Sequence, residues 1–154
     1  MTLACESGEL EWLCNVPEIK VGLISLTECI IAELSRLSKS RSTVKALSAS
    51  GKPTEINYGE CLFCFQLNRG IYRDAAGALY DYTRRWSESP DNMHNASLPA
   101  DLIYRSKALA ACLCIFNQMD EQSQAFLLAQ KDSSKMLHCV APSDVENEFL
   151  RLSA

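Results

Sequence analysis

Apolar residues recur at helical spacing along most of this chain, and the first clear stripe lies near its N-terminal end. Five leucines and isoleucines follow one another at steps of three or four: Leu23, Leu26, Ile30, Leu34 and Leu37. Polar residues such as Glu28 and Arg36 fall between them, which is typical of an amphipathic helix. The pattern predicts a helix over about residues 21–38, and Pro17 just upstream fits a helix start.

A polar, serine-rich run follows this helix, with the sequence SKSRSTVKALSASGKPTE. It carries few large apolar residues, and Gly51 and Pro53 lie near its end. This composition predicts a flexible loop over residues 38–55, with a weak turn of helix near Val44 and Leu47.

The next stretch, residues 56–86, predicts two helices that form an antiparallel hairpin. Residues 56–68 are mostly apolar, which predicts a helix buried on most of its faces. Gly70 then interrupts the run as a glycine at a helix C-terminus does, so Arg69 and Gly70 form a tight turn. The pattern restarts at Ile71, with small residues at positions 75–78 that let a neighbouring helix approach closely.

Three further helices are predicted downstream. One covers residues 99–118, with Pro99 in its first turn. Asp120 is expected to cap a short helix that continues through Leu128. Ser143 and Glu146 have the spacing of a capping box, which predicts a last helix that starts at Ser143.

The predicted fold class is all-α, because the chain shows no convincing strand alternation and no glycine-rich phosphate loop. Five or six helices in sequential antiparallel pairs, over one domain of residues 1–154, favour a piece of α-solenoid over a closed bundle. This prediction depends on the helix pairing, because no repeat of fixed period is visible. The helix-packing seam is predicted to contain Tyr58, Leu62, Phe65, Tyr72, Ala76, Leu79, Trp86, Leu109, Leu113 and Phe116.

Composition and charge narrow the function classes. The chain has 154 residues, of which 47% are hydrophobic and 22% charged, and its formal net charge is -4. It therefore lacks the broad basic field that direct nucleic-acid binding requires. No run reaches the ~18 apolar residues of a membrane span, so no membrane insertion is expected.

Cysteines are the most prominent candidates for chemistry. The N-terminus shows no secretory signal, so the eight cysteines are expected to be reduced thiols. Cys61 with Cys64 and Cys112 with Cys114 have enough thiols for a zinc site. Both pairs lie inside apolar helical runs, however, and residues two apart on a helix point in different directions. We therefore interpret these cysteines as buried packing residues in preference to metal or redox sites.

Other groups that could support catalysis also have simpler interpretations. His94 and His138 fall in predicted loops, which disfavours a Cys–His pair. Asp74 and Asp81 share a helix face, but arginines surround them, and Asp81 lies four residues before Arg85, an ion-pair spacing. The sequence thus predicts no catalytic residue, no cofactor, no metal and no enzyme.

The predicted hairpin has the sequence ECLFCFQLNRGIYRDAAGALYDYTRRW. This segment resembles a helix pair of the large scaffold nucleoporins of the Y-shaped outer-ring complex, the nucleoporin one-sixty family. The matching residues are Ile71, Tyr72, Arg73, Ala75, Ala76, Tyr80, Tyr82 and Arg84. SKALAACLCIFNQMDEQSQAFLLA is similar to the next helix pair of that family, and SDVENEFLRLSA to an acidic helix start. The matching residues in SDVENEFLRLSA are Asp144, Val145, Glu146, Glu148 and Phe149.

The resemblance covers about residues 57–154, and more loosely 21–38. It implies a structural component of the nuclear pore complex in the nuclear envelope, supporting nucleocytoplasmic transport and mRNA export. The implied partners are other scaffold nucleoporins of the Y-shaped complex. Since members of this family carry an N-terminal β-propeller that this sequence cannot form, we expect a fragment, a truncated product or an isolated paralogue. Exposed helix faces would then favour self-association.

Two alternatives belong to other function classes. The first is a helical adaptor of the tetratricopeptide kind, which would bind peptides in a concave groove with convergent basic or amide side chains. The second is a small metal-binding or redox protein built on Cys61 and Cys64.

Overall fold

The computed structural model describes residues 10–39, 45–47, 53–55, 57–87, 99–129 and 137–153. The chain divides into two compact units, residues 1–71 and residues 72–154. We call them unit 1 and unit 2.

Unit 1 contains three helices and two short β-hairpins in its described part. Its elements are α1 (Leu10–Asn15), β1 (Lys20–Val21), β2 (Ile24–Ser25), α2 (Leu26–Lys39), β3 (Lys45–Leu47), β4 (Pro53–Glu55) and α3 (Tyr58–Asn68). Helix α3 packs against α2 and α1. Leu13, Leu34 and Phe65 are almost completely buried, one from each helix. The core of unit 1 therefore draws on all three helices.

Helix α2 begins at Leu26, so the prediction of a start near residue 21 is wrong. The backbone N–H of Glu28 donates to Ser25 Oγ at 3.4 Å, so Ser25 lies at the N-cap and satisfies one of the free N–H groups of the first turn. Residues 20–25 form the β1–β2 hairpin instead, with Val21 opposite Ile24 and Gly22 at a φ of 64° in its turn. Leu23, which the helical stripe included, lies in this hairpin.

The predicted loop over residues 38–55 contains a second antiparallel pair. Strands β3 and β4 pair with Lys45 opposite Glu55 and Leu47 opposite Pro53. The expected turn of helix near Val44 and Leu47 is therefore wrong, because residues 45–47 are extended.

Helix α3 ends as its sequence predicts. Gly70 has a φ of 72°, which favours glycine because it has no Cβ. The N–H of Gly70 donates to Leu67 O at 3.0 Å, and the N–H of Ile71 donates to Gln66 O at 2.9 Å. This pair of bonds is the Schellman motif, which satisfies two carbonyls at the helix end. The predicted tight turn at Arg69 and Gly70 is confirmed.

Unit 2 contains three long helices and one hairpin in its described part. Its elements are α4 (Tyr72–Ser87), α5 (Pro99–Phe116), a 3₁₀ turn (Glu121–Ser123), β5 (Phe126–Ala129), β6 (Leu137–Val140) and α6 (Pro142–Ser153). Helix α5 packs against both α4 and α6, and β5 packs against α4. Phe126 of β5 reaches the backbone of Gly77, where a Cβ would lie 3.4 Å from its ring. Its ring also stacks on that of Phe116, with centroids 5.8 Å apart.

Two predictions in unit 2 are wrong in detail. The helix expected from Asp120 through Leu128 is a 3₁₀ turn followed by strand β5. Helix α6 begins at Pro142, before the predicted capping box. Asp144 replaces Glu146 in that role, because its Oδ2 accepts the N–H of Ala141 at 2.9 Å.

Most of the described residues are helical, and neighbouring helices pack in pairs, so the mostly helical character predicted from the sequence is confirmed. The sequence did not predict the three two-stranded antiparallel hairpins found in the described residues. They are short, and two of the three interrupt regions that the apolar pattern assigned to helix.

Candidate functional site

A polar cluster joins α4, α5 and α6 in unit 2. The hydroxyl of Tyr80 on α4 donates a hydrogen bond to Glu148 Oε2 on α6, at 2.9 Å. Arg105 of α5 donates from Nη2 to Glu148 Oε1 at 3.1 Å. One carboxylate thus holds one donor from each of the two neighbouring helices.

The environment of this cluster keeps Tyr80 protonated. Burial raises the pKa of the Tyr80 hydroxyl, and the hydrogen bond to the Glu148 carboxylate raises it further. Both causes favour the neutral phenol, which can donate to Glu148. Tyr80 therefore serves as a hydrogen-bond donor at neutral pH and not as a base.

An open cleft of about 480 Å³ lies beside this cluster. It is lined by Tyr80, Arg105, Asp144, Asn147, Glu148, Arg151 and Leu152. The five lining residues of α6 follow one another at steps of three or one, so they share one face of that helix. The cleft therefore runs along about two turns of α6.

The side chain of Cys112 lies in the packing between α5 and α4. It is fully buried, and its thiol donates to Ala76 O at 3.6 Å. Burial raises the pKa of this thiol to about 12, so it stays protonated and makes a poor nucleophile. Cys114, two residues further on, is exposed, so the two side chains point in different directions, as the helical spacing predicts.

In unit 1, Cys61 is buried and Cys64 is half-buried. Burial raises the pKa of Cys64, which disfavours the reactive thiolate. Within the described residues, no three side chains of His, Cys, Asp or Glu lie together in a way that could hold a metal ion. The positions of Cys61 and Cys112 fit the interpretation of these thiols as packing residues.

The residues of the predicted packing seam differ in their burial. Seven are buried: Tyr58, Leu62, Phe65, Ala76, Leu79, Leu109 and Phe116. Leu113 is half-buried, Tyr72 is 42% exposed, and the side chain of Trp86 lies outside the described part. Tyr58, Leu62 and Phe65 belong to unit 1 and the others to unit 2. Their arrangement as one seam stays a prediction.

The histidines and the acidic pair have separate outcomes. His94 lies outside the described residues. His138 lies in strand β6, so its placement in a loop is wrong; its side chain is outside the described part. Asp81 contacts Arg85 at 2.9 Å and Arg84 at 3.7 Å, which confirms the predicted ion pair. Asp74 is exposed on the first turn of α4.

Three polar side chains that line the cleft with Tyr80 were not predicted from the sequence: Arg105, Asn147 and Arg151. Arg105 is an isolated arginine within the apolar helix α5, and Asn147 and Arg151 lie on α6. One signal was available: positions 144, 147, 148 and 151 are all polar and share one helix face. No local pattern indicated that Arg105 and Tyr80 would meet that face.

An exposed apolar surface lies on unit 1, on the β1–β2 hairpin. Val21, Leu23 and Ile24 are 73%, 101% and 63% exposed. Ser25, paired with Lys20, is buried, and side chains alternate across a strand. Val21 and Ile24 therefore point away from the side that Ser25 faces.

The chain matches no protein-family model and no curated protein. Among the described helices, none is long and apolar enough to cross a bilayer.

Proposed function

We propose that this chain is a structural scaffold component of the nuclear pore outer ring, which supports nucleocytoplasmic transport and mRNA export through protein–protein contacts. In this proposal its helix pairs are part of an α-solenoid, and its partners are other scaffold nucleoporins of the Y-shaped complex. The protein acts at the nuclear envelope by holding partners in position and catalyses no reaction.

The exposed β1–β2 hairpin is the observation that carries this proposal. Large apolar side chains gathered on one surface are uncommon on a protein that contacts no partner. Val21, Leu23 and Ile24 form such a surface, and the nearby Ile19 is 50% exposed. A scaffold protein requires surfaces of this kind, because its function is to bind its neighbours.

Two further observations support a structural role. Helices that follow one another in the described part of each unit pack together, α2 with α3 in unit 1 and α4 with α5 in unit 2, as in helical-repeat scaffolds. The thiol of Cys112 contacts the carbonyl of Ala76 in the packing between α4 and α5. This potentially reactive group is therefore part of the helix packing. The resemblance of residues 57–154 to the outer-ring nucleoporins supplies the identity of the partners.

Affinity purification of the tagged chain from nuclear-envelope extract tests the proposal. We expect the wild-type chain to enrich outer-ring scaffold nucleoporins, and Leu23→Glu to reduce that enrichment at least fivefold. Ile103→Glu is the matched control, because Ile103 is an exposed apolar residue on α5, away from the hairpin of unit 1. Purification without outer-ring nucleoporins, or equal enrichment by Leu23→Glu, would contradict the proposal.

A further inference from the structure

We propose that the cleft along α6 binds an acidic segment of a partner protein, whose Asp or Glu carboxylates are held by Arg105 and Arg151. This inference goes beyond the scaffold function, because it assigns the ligand chemistry of a particular site. It does not depend on which protein supplies the segment.

The carboxylates of the cleft already have partners. Both oxygens of Glu148 accept hydrogen bonds, Oε2 from the Tyr80 hydroxyl and Oε1 from Arg105. Asp144 Oδ2 accepts the backbone N–H of Ala141 at the start of α6. Three of the four carboxylate oxygens in the cleft thus already accept a hydrogen bond inside the protein, which lowers their capacity to bind a cationic ligand.

The donors of the cleft have unused capacity. A guanidinium has five N–H donors, and Arg105 donates one of them, on Nη2, to Glu148. Its Nε is buried, so Arg105 would hold a ligand through its remaining Nη hydrogens. Arg151 is exposed and forms no ion pair within the described part of the chain. Asn147, also exposed, adds an amide. Arg151 and Asn147 therefore offer donors on the open side of the cleft, and a guanidinium can bind a carboxylate with two-point geometry.

The shape of the cleft favours a peptide over a free anion. Its α6 face runs from Asp144 to Leu152, which is about 12 Å at 1.5 Å per residue. Its volume of about 480 Å³ is far larger than one carboxylate or phosphate group needs, and it falls in the range of sites for larger ligands. Leu152 supplies an apolar contact beside the arginines, suited to an acidic segment that also carries apolar side chains.

Fluorescence polarisation with the purified full chain tests this inference. The probe is a fluorescein-labelled peptide of alternating glutamate and leucine, and the comparison peptide has glutamine in place of glutamate. We expect the glutamate peptide to bind at least tenfold more tightly than the glutamine peptide. Arg151→Ala should weaken binding of the glutamate peptide about tenfold, because it removes one of the two guanidinium groups. Arg151 is exposed, so its loss should leave the fold intact.

Lys107→Ala is the matched control, since it removes one exposed positive charge from α5 without touching the cleft. It should change the affinity less than twofold, and circular dichroism should show equal helicity for both variants. Equal binding of the two peptides, or unchanged binding by Arg151→Ala, would overturn the inference. Displacement of the peptide by inorganic phosphate at equal concentration would also overturn it, in favour of a small-anion site. A negative nuclear-envelope purification would leave this peptide result intact, so the two proposals fail separately.

Discussion

The two units expose their apolar side chains in different ways. In unit 1, Trp12 and four residues of the segment 19–24 are at least half exposed within 13 residues of the sequence. Among the described residues of unit 2, the exposed large apolar side chains are those of Tyr72, Ile103 and Leu150, one on each of α4, α5 and α6. Unit 1 therefore concentrates its exposed apolar surface, while unit 2 distributes it.

The difference follows from the element that each apolar run forms. A helix with a stripe every three or four residues turns that stripe toward one neighbour and buries it. A two-stranded hairpin alternates its side chains between two faces, and only one face of the β1–β2 hairpin is turned inward. Leu34, on the stripe of α2, is buried, whereas Leu23, in the turn between β1 and β2, is fully exposed. Apolar character alone does not decide which residues form the core.

The largest expected effect comes from a charge placed in the packing of unit 2. Ala76 is fully buried, and its carbonyl accepts the Cys112 thiol. Ala76→Arg should lower the free energy of unfolding by several kcal/mol, because an unpaired charge cannot be accommodated between α4 and α5. Urea unfolding followed by circular dichroism measures this loss.

Ala32→Arg in unit 1 is the matched control. Ala32 is exposed on α2, so the same substitution should change the free energy of unfolding by less than about 0.5 kcal/mol. Similar losses at the two positions would show that the packing of α4 against α5 is misassigned.

A smaller effect should appear at alkaline pH, and it compares a buried thiol of unit 2 with an exposed thiol of unit 1. The pKa of Cys112 rises from 9.0 to about 12 in the folded chain. Its protonated form therefore stabilises the fold below pH 9, and this contribution is lost as the pH rises from 9 toward 12. The loss amounts to about 1.4 kcal/mol per pH unit for one group.

Unfolding in urea between pH 8 and 10.5 measures this dependence. Cys112→Ala should show a shallower decrease in stability above pH 9 than the wild-type chain. Cys29→Ala, at an exposed thiol on α2, should keep the wild-type decrease. Identical pH profiles for Cys112→Ala and the wild type would mean that the thiol of Cys112 is not buried in solution.

The smallest effect should come from the hairpin of unit 1. Leu23→Ala should change the free energy of unfolding by less than about 0.5 kcal/mol, since Leu23 has no burial to lose. Leu34→Ala, in the core of the same unit, should cost about 2–5 kcal/mol because it leaves a cavity. Thermal and urea unfolding of the two variants compare them directly, and a large loss at Leu23 would place the hairpin in a buried contact.

Features that depend on neighbouring residues were predicted well. The Schellman motif at Gly70 needs only a glycine after a helical run, and the pair of Asp81 with Arg85 needs only a spacing of four. The start of α2 also has a local signal, because Ser25 and Glu28 have the capping-box spacing. The prediction placed the start further upstream because the apolar stripe begins at Leu23. The short strands were missed because two to four residues per strand are too few for alternation to be seen.

The candidate site depends on contacts between residues far apart in the sequence. Tyr80 and Glu148 are 68 positions apart, and Arg105 and Glu148 are 43 apart. The charged face of α6 can be recognised in the sequence, but the donors that meet it cannot. The exposure of the β1–β2 hairpin could not be predicted from the sequence for a related reason. The identity of an apolar residue does not show whether another part of the chain covers it.

By itself, the sequence determined the helical character of this protein, the glycine that ends α3 and the expectation that Cys61 and Cys112 are packing residues, because spacing and local backbone preference are properties of neighbouring residues. Only the tertiary structure decided that Glu148 binds both Tyr80 and Arg105, and that Leu23 is exposed while Leu34 is buried. Those outcomes depend on which elements of a unit pack against one another, and that choice is made by the summed burial of many side chains and not by any single segment.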